Sequence, residues 1–296
     1  MLPSLPELVA EELAQPVDPR VSAMATAIAA QYPHAARAVL FYGSCLRSHQ
    51  LDGLMLDFYL IVSGYDAAYG KSWLAAANRL IPPNVFPFAH EDLTAKYAVL
   101  SEADFARECG SGARSVSVWA RFAQPSRLVW TAGAQASQKV VAAVASAAPT
   151  LLELTRPVAD CGEGDVLALW REGFARTYGA ELRAERTDRS GSIVDAEPHR
   201  YLSFGEAALR RMPLTPARSA PDAARAWKRL QRRGKVLSVI RLGKASFTFA
   251  GGVDYLAWKV SRHSGQPVRI KHWHRRFPLA AAVVLLPKLL ARGAVR

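Results

Sequence analysis

The sequence predicts a mixed α/β (α+β) protein with a basic C-terminal end. Two apolar runs, 38–42 and 55–62, have the length and composition of neighbouring buried strands. Helical spacing and alanine-rich stretches dominate much of the remaining chain. Residues 205–296 hold 20 Lys/Arg against 3 Asp/Glu, whereas the residues before them hold 18 against 22. We therefore predict a sheet-containing domain, a smaller, mainly helical domain and a basic amphipathic segment, over residues 1–130, 131–211 and 212–296 respectively.

The first domain is predicted to contain both helices and strands. The prolines of IPPNVFPF (81–88) exclude a helix over that stretch, since proline lacks the N–H that a helix interior requires. In chain order we expect one or two helices over 6–32, the strand pair, a helix over 71–80, a strand over 96–101, and a loop followed by a strand over 121–130.

The rest of the chain is predicted to be helical. We expect a helix over 134–154 interrupted near Pro149, helices over 163–184 and 201–211, then a linker and a basic helix. The apolar run from Phe277 to Leu286 has ten residues, and a spanning helix needs ~20, so no transmembrane segment is expected. The three cysteines follow no disulfide or zinc pattern and the N-terminus lacks a secretory signal, so we expect a cytoplasmic protein.

The candidate chemistry lies between the two strands. The first strand ends at Gly43-Ser44, and a single carboxylate, Asp57, interrupts the second apolar run. Glycine lets a backbone approach a phosphate closely, and free N–H groups and a serine hydroxyl supply donors. A carboxylate in an apolar strand needs a compensating charge, which a divalent cation bound to a nucleotide would provide. The combination favours nucleotidyl transfer, although a Gly-Ser dipeptide alone is common in ordinary turns.

The pattern departs from that of polymerase-beta-type nucleotidyltransferases in its acids. Their strand carries two acids separated by one residue. In this chain the residues two before and two after Asp57 are Met55 and Tyr59, which are not acids. We predict that Glu181, in TYGAELRAE, supplies the second metal-binding acid. The alternative is that Glu181 belongs to a solvated helix face on which Glu and Arg alternate.

Five further stretches are informative as a set: FYGSCLR (41–47), MLDFYLIV (55–62), KYAVLS (96–101), RFAQPSRLV (121–129) and TYGAELRAERTDRSGSIV (177–194). Together they resemble the mitochondrial-type phosphatidate cytidylyltransferases, the translocator assembly and maintenance family, which has bacterial relatives. They correspond in order to the family patterns YGSGV, MLDF, IKYGV, GR-F-QKPV and SYSGD-R. The resemblance runs through about residues 35–265.

This resemblance implies a polymerase-beta-type nucleotidyltransferase domain, a winged-helix-like second domain and a reaction. The reaction converts CTP and phosphatidate into CDP-diacylglycerol and pyrophosphate with Mg²⁺. By position, Asp57 and Glu181 would be catalytic and bind metal, and the nucleotide would be held by Tyr42, Gly43, Ser44, Lys96 and Arg183. The chain departs from the family where Cys45 replaces a glycine, Glu181 replaces aspartate and Ser192 replaces Lys or Asn.

The basic end predicts an anionic partner. Between Phe247 and Trp273, aromatic residues alternate with Lys and Arg, a composition typical of segments that dock on membrane interfaces. We therefore expect a peripheral protein on the cytoplasmic face of the inner membrane, with phosphatidate as partner and no stable nucleic-acid partner. Three alternatives stay open: a packed basic helix pair, a nucleotidyltransferase acting on another acceptor, and a degenerate fold that binds membrane or nucleic acid.

Overall fold

The computed structural model describes residues 2–48, 50–162, 164–180 and 189–248. Five strands are present: β1 Ala36–Tyr42, β2 Met55–Val62, β3 Asn84–His90, β4 Leu93–Ser101 and β5 Ser126–Thr131. The α-helices are α1 Leu5–Leu13, α2 Pro19–Ala30, α3 Ser44–Ser48, α4 Tyr65–Ala68, α5 Ser72–Leu80, α6 Glu102–Cys109, α7 Trp119–Phe122, α8 Ala134–Val144, α9 Ala147–Thr155, α10 Val166–Tyr178, α11 Arg189–Ala196, α12 Pro198–Leu209 and α13 Ala220–Thr248. A 3₁₀ turn, Arg156–Val158, follows α9.

The strands form one mixed sheet in the order β3-β4-β2-β1-β5. Only β2 and β4 pair in parallel, and the other three pairs are antiparallel. The predicted pair of apolar strands, β1 and β2, is confirmed and lies in the interior of the sheet. The predicted mixed α/β class is confirmed with it.

Alternate residues of each strand face two different cores, as the two-residue period of a strand requires. On β2, Tyr59 and Ile61 face a core shared with α1 and with helices from α6 to α12. Phe58 and Leu60 face the opposite core, in which α2 packs through Met24 and its neighbours. Both faces of the central strands are therefore covered, which explains why β1 and β2 read as nearly continuous apolar runs.

Two prolines account for differences from the predicted elements. Pro87 lies within β3, where the sequence pattern predicted only a break; β3 is an edge strand, which tolerates a residue without N–H. The alanine-rich helix is interrupted at Ala145-Ser146 and not at Pro149. Pro149 is the third residue of α9, within the first turn, where backbone N–H groups have no partner in the helix.

The helices that follow residue 131 pack directly on the sheet. Val140 and Leu151, from α8 and α9, belong to the same continuous core as Leu40 of β1. Every described element after β5 is helical, and no helix in the described ranges is long and apolar enough to cross a membrane. The division at residue 131 and the winged-helix-like character of the second part stay predictions.

The long helix α13 is anchored at several points along its length. The indole Nε1 of Trp227 donates to the Leu154 carbonyl at 3.0 Å, and this side chain is 1% exposed. Gly234 lies so close to Ala180 that a Cβ there would be 2.1 Å from the Ala180 carbonyl oxygen. Farther along, Arg241 and Lys244 bind the backbone that follows α5. The first part of the predicted basic segment is thus integrated into the fold.

Lys244 is expected to make stability depend on pH. Its ammonium donates to the carbonyls of Ile81 and Pro83, the latter at 2.8 Å. Burial, and next the Arg241 guanidinium, lower the pKa of Lys244 from 10.5 to about 7. Between these two values the unfolded chain binds more protons, so the free energy of unfolding rises with pH, by at most about 1.4 kcal/mol per pH unit.

The measurement is denaturant unfolding of the wild type and Lys244→Met between pH 6 and pH 10. The difference between the two free energies should change in favour of the wild type as pH rises above 7. Parallel pH profiles would contradict the lowered pKa.

Candidate functional site

Three predicted residues form a row across adjacent strands. Tyr42 of β1 is in register with Asp57 of β2, and Asp57 is in register with Lys96 of β4. Residues in register point to the same face of a sheet. The row therefore brings together Tyr42, Asp57 and Lys96, which are separated in sequence by up to 54 positions and which we call the cross-strand row.

The central pair of the row is a partly buried ion pair. The Lys96 ammonium lies 2.7 Å from Asp57 Oδ1, with the Lys96 and Asp57 side chains 25% and 21% exposed. The cost of placing Asp57 in an apolar strand is thus offset by a cation from the next strand. The remaining exposure leaves the carboxylate accessible to a ligand at the end of the sheet.

Gly43 closes the other side of the carboxylate. Its φ of +97° falls in the region that favours glycine, and a Cβ at this position would lie 3.1 Å from Asp57 Oδ2. A side chain at residue 43 would therefore crowd the carboxylate, and glycine avoids that contact. Ser44 begins α3 directly after the turn and is exposed, so its hydroxyl is accessible.

Tyr42 joins the row to Arg121. Burial, and next the Asp57 carboxylate, raise the pKa of Tyr42 well above its ordinary value, and a hydrogen bond from the Arg121 guanidinium opposes them. The Tyr42 ring packs against Tyr59 and Phe122, with ring centroids 5.3 Å and 6.0 Å away. Tyr42 therefore remains a neutral phenol in a fixed position beside the carboxylate.

Arg121 was not among the predicted site residues. It lies on the four-residue helix α7, in the stretch RFAQPSRLV that contributed to the family resemblance. Its position beside Tyr42 depends on the packing of α7 against the end of β1, which no local pattern in the sequence indicates. A second arginine, Arg47 on α3, donates to Gln124 Oε1 at 3.2 Å.

Cys45, which stands where the resembled family has a glycine, is part of the packed interior beside β2. Its side chain is buried, and its Sγ lies 3.8 Å from the Met55 carbonyl oxygen. Burial, and next Asp57, raise the pKa of the thiol above its ordinary value. The thiolate form is therefore disfavoured, and the geometry does not favour Cys45 as a nucleophile.

The predicted second metal-binding acid, Glu181, lies outside the described residues. So does Arg183, because the described residues end at Ala180 before this gap. On β2, Tyr59 shares the face of Asp57 and is buried among aromatic rings. Within the described ranges, no three His, Cys, Asp or Glu residues cluster as candidate metal ligands.

The residues present suit a metal that is held partly by its nucleotide. Asp57 offers one carboxylate, and no side chain stands between it and the backbone of the turn at Gly43. Mg²⁺ is commonly bound by one or two carboxylates together with substrate phosphates. Asp57 thus fits such a site as one metal ligand, and Glu181 stays the predicted second ligand.

No protein-family model matches the chain, and no curated protein matches it. The resemblance of the five motifs therefore stays a prediction. The cross-strand row and the glycine turn beside it, by their geometry, indicate what the site can bind.

Proposed function

We propose that this chain is a Mg²⁺-dependent cytidylyltransferase, a CDP-diacylglycerol synthase that joins CTP and phosphatidate at a membrane surface and releases pyrophosphate. The observation that carries the proposal is the turn at Gly43, whose backbone lies close to Asp57 Oδ2 at φ +97°, a conformation that L side chains rarely adopt. A carboxylate beside a glycine turn, with a lysine on the next strand, is an arrangement suited to a metal–nucleotide complex.

Each residue of the site has a proposed task. The backbone at Gly43 and the Ser44 hydroxyl donate to the nucleotide phosphates. Asp57 holds the metal, which when bound supplies positive charge against the phosphate oxygens. Lys96 neutralises Asp57 in this structure. Lys96 is proposed to turn to a phosphate oxygen when the carboxylate has another counter-charge. Tyr42 and Arg121 fix the end of β1 from which the turn begins.

The direct test is incubation of the protein with labelled CTP, Mg²⁺ and phosphatidate vesicles, followed by lipid extraction. Label is expected in the lipid phase only when Mg²⁺ and phosphatidate are both present. Transfer of label to RNA or to a small-molecule acceptor instead would support a nucleotidyltransferase with another acceptor. Absence of any CTP turnover would contradict the proposal.

Glu181 is proposed as the second metal-binding acid. Glu181→Gln is expected to lower the rate of transfer and to raise the Mg²⁺ concentration needed for half-maximal activity, because an amide binds the cation poorly. Glu185→Gln, four residues along the same stretch, is the matched control and should behave as the wild type. Equal, small effects of both substitutions would favour the solvated helix face.

The membrane part of the proposal is supported by α13. From Arg225 to Ile240 its exposed residues are basic as far as Lys235 and aliphatic after it, a composition that suits an anionic membrane interface. They are Arg225, Lys228, Arg229, Arg232, Arg233, Lys235, Val236, Val239 and Ile240. The predicted aromatic residues from Phe249 to Trp273 lie outside the described residues.

The protein is expected to bind anionic vesicles reversibly and in a salt-dependent manner. Attraction between exposed charges is screened within ~8 Å at physiological ionic strength, so raised salt should release much of the bound protein. The measurement is sedimentation with phosphatidate-containing vesicles at increasing salt, with neutral vesicles as control. Equal binding to both kinds of vesicle would contradict electrostatic docking. A chain ending after Thr248 would separate the contribution of α13 from that of residues 249–296.

A degenerate binding module is the second candidate function. It is favoured by the pairing of Asp57 with Lys96, since a carboxylate with a resident counter-charge does not require a metal. Metal-dependent CTP turnover separates enzyme from module. Vesicle sedimentation and an RNA gel shift then separate a membrane-binding module from a nucleic-acid-binding one.

A further inference from the structure

Arg241 of α13 donates hydrogen bonds to two separate segments of the chain, at Pro82 and at residues 115–117. Its Nε donates to the Pro82 carbonyl at 2.9 Å. Its Nη1 and Nη2 donate to the hydroxyls of Ser117 and Ser115, at 2.8 Å and 3.4 Å. Arginine alone among the side chains can satisfy three acceptors in this planar arrangement.

The two serines belong to a buried turn immediately before α7. Ser115 and Ser117 are 1% and 5% exposed, and their hydroxyl oxygens are 2.8 Å apart. Buried hydroxyls need hydrogen-bond partners, and the Arg241 guanidinium supplies donors to both. The conformation of this turn is therefore tied to the position of α13.

The same turn holds the arginine of the candidate site. The Ser117 carbonyl accepts a hydrogen bond from Arg121, and the Arg121 guanidinium also binds the Tyr42 hydroxyl. Tyr42 is in register with Asp57. A continuous series of contacts thus runs from α13 through Ser117, Arg121 and Tyr42 to the carboxylate.

We propose that Arg241 is a positioning residue for this site: by fixing the turn at Ser117 it orients Arg121 against Tyr42, and so couples α13 to the geometry around Asp57. The coupling itself requires only the contacts above, whereas its effect on CTP binding rests on the proposed function. The C-terminal helix would then contribute to nucleotide binding in addition to any membrane contact.

Lys244 provides a matched control on the same helix. It is one turn from Arg241 and also anchors α13, but it donates to the carbonyls of Ile81 and Pro83. Loss of Lys244 therefore weakens the anchoring of α13 without removing a donor from Ser115 or Ser117. If the site requires only that α13 is anchored, loss of Arg241 and loss of Lys244 should affect the site similarly. If the coupling runs through Ser117, loss of Arg241 should affect the site more than loss of Lys244.

The test compares the full-length wild type with Arg241→Gln and Lys244→Met in two measurements. Hydrogen exchange followed by mass spectrometry reports on peptides that cover 40–47, 79–84 and 115–123, and titration reports the Kd for Mg²⁺–CTP. Arg241→Gln is expected to speed exchange about tenfold in 40–47 and 115–123 and to weaken CTP binding about tenfold. Lys244→Met should speed exchange mainly in 79–84 and change the Kd less than threefold.

Two further variants keep the proposal falsifiable. If Arg241→Gln does not fold, Ser117→Ala removes the hydroxyl that accepts from Arg241 Nη1 while leaving the Ser115 hydroxyl and both anchors on residues 81–83 in place. If both single variants fold, the double variant Arg241→Gln/Ser117→Ala should be no more affected than the worse single variant, because both changes break the same contact between Arg241 and Ser117. Restoration of the wild-type Kd by Arg241→Lys would contradict the need for the guanidinium fork.

The results that test the coupling of Arg241 to the site can be distinguished from the results that test the proposed function. Equal exchange patterns for Arg241→Gln and Lys244→Met, or faster exchange confined to 115–123 with unchanged CTP binding, would overturn the coupling and leave Arg241 as an anchor. If the wild type does not bind CTP, the proposed function fails, and the exchange rates of 40–47 still decide whether the site and α13 are coupled.

Discussion

Asp57→Asn is expected to reduce Mg²⁺-dependent transfer from CTP at least about a hundredfold, or about 2.7 kcal/mol of barrier, while the fold remains intact. The amide keeps the shape of the side chain but loses the negative charge that would hold the metal. Stability should change by no more than about 1 kcal/mol, because the Asp57–Lys96 pair is partly exposed and its loss leaves Lys96 in contact with water.

Glu102→Gln is the matched control for Asp57→Asn. Glu102 also pairs with a lysine, Lys139, at 3.1 Å, and its side chain is 22% exposed, close to the 21% of Asp57. It lies on α6, outside the cross-strand row, so its substitution should leave transfer unchanged. Activity of Asp57→Asn within about tenfold of the wild type would exclude Asp57 as an essential metal ligand.

Gly43→Ala should also reduce transfer strongly, by about a hundredfold. An alanine at φ +97° is strained, and its Cβ would lie 3.1 Å from Asp57 Oδ2, so the turn or the carboxylate must shift. Small displacements of a reacting group can cost about a hundredfold in rate. The measurement is the rate of transfer together with the midpoint of thermal unfolding.

Gly53→Ala separates backbone strain from the contact with Asp57. Gly53 also has a positive φ, +70°, but a Cβ there would meet no atom within 4 Å. Both variants should therefore lose some stability, and only Gly43→Ala should lose activity. Similar activities of the two variants would mean that the close approach of Gly43 to Asp57 has no catalytic role.

The strand pair and its turn could be predicted because their signals are local. The first apolar run ends in Gly-Ser, and the second contains one carboxylate. These two features identify buried strands and an exposed edge without any knowledge of the rest of the chain. The proximity of Lys96 to Asp57 was implied only by the family resemblance. The parallel pairing of β2 with β4 that creates it is a long-range contact.

The contacts around Arg121 and Arg241 could not be predicted from local patterns. Arg121 reaches Tyr42 because α7 packs beside β1, and Arg241 reaches Ser117 across 124 positions of sequence. The basic composition after residue 205 indicated an exposed cationic surface, which is present on α13. It did not indicate that two of these cations would be directed inward at backbone carbonyls and buried hydroxyls.

The register of β1 and β2 determines where the chain can change length during evolution. Asp57 shares the face of Tyr42 only while the pairing of Tyr42 with Asp57 is kept, because a shift by one residue exchanges the two faces of a strand. An insertion in β2 that shifts this pairing by one residue would therefore direct the carboxylate to the opposite core. Residues 50–54 carry no strand pairing and can absorb insertions at small entropic cost. We expect descendants of this chain to vary in length between α3 and β2 and to preserve the spacing from Met55 to Asp57.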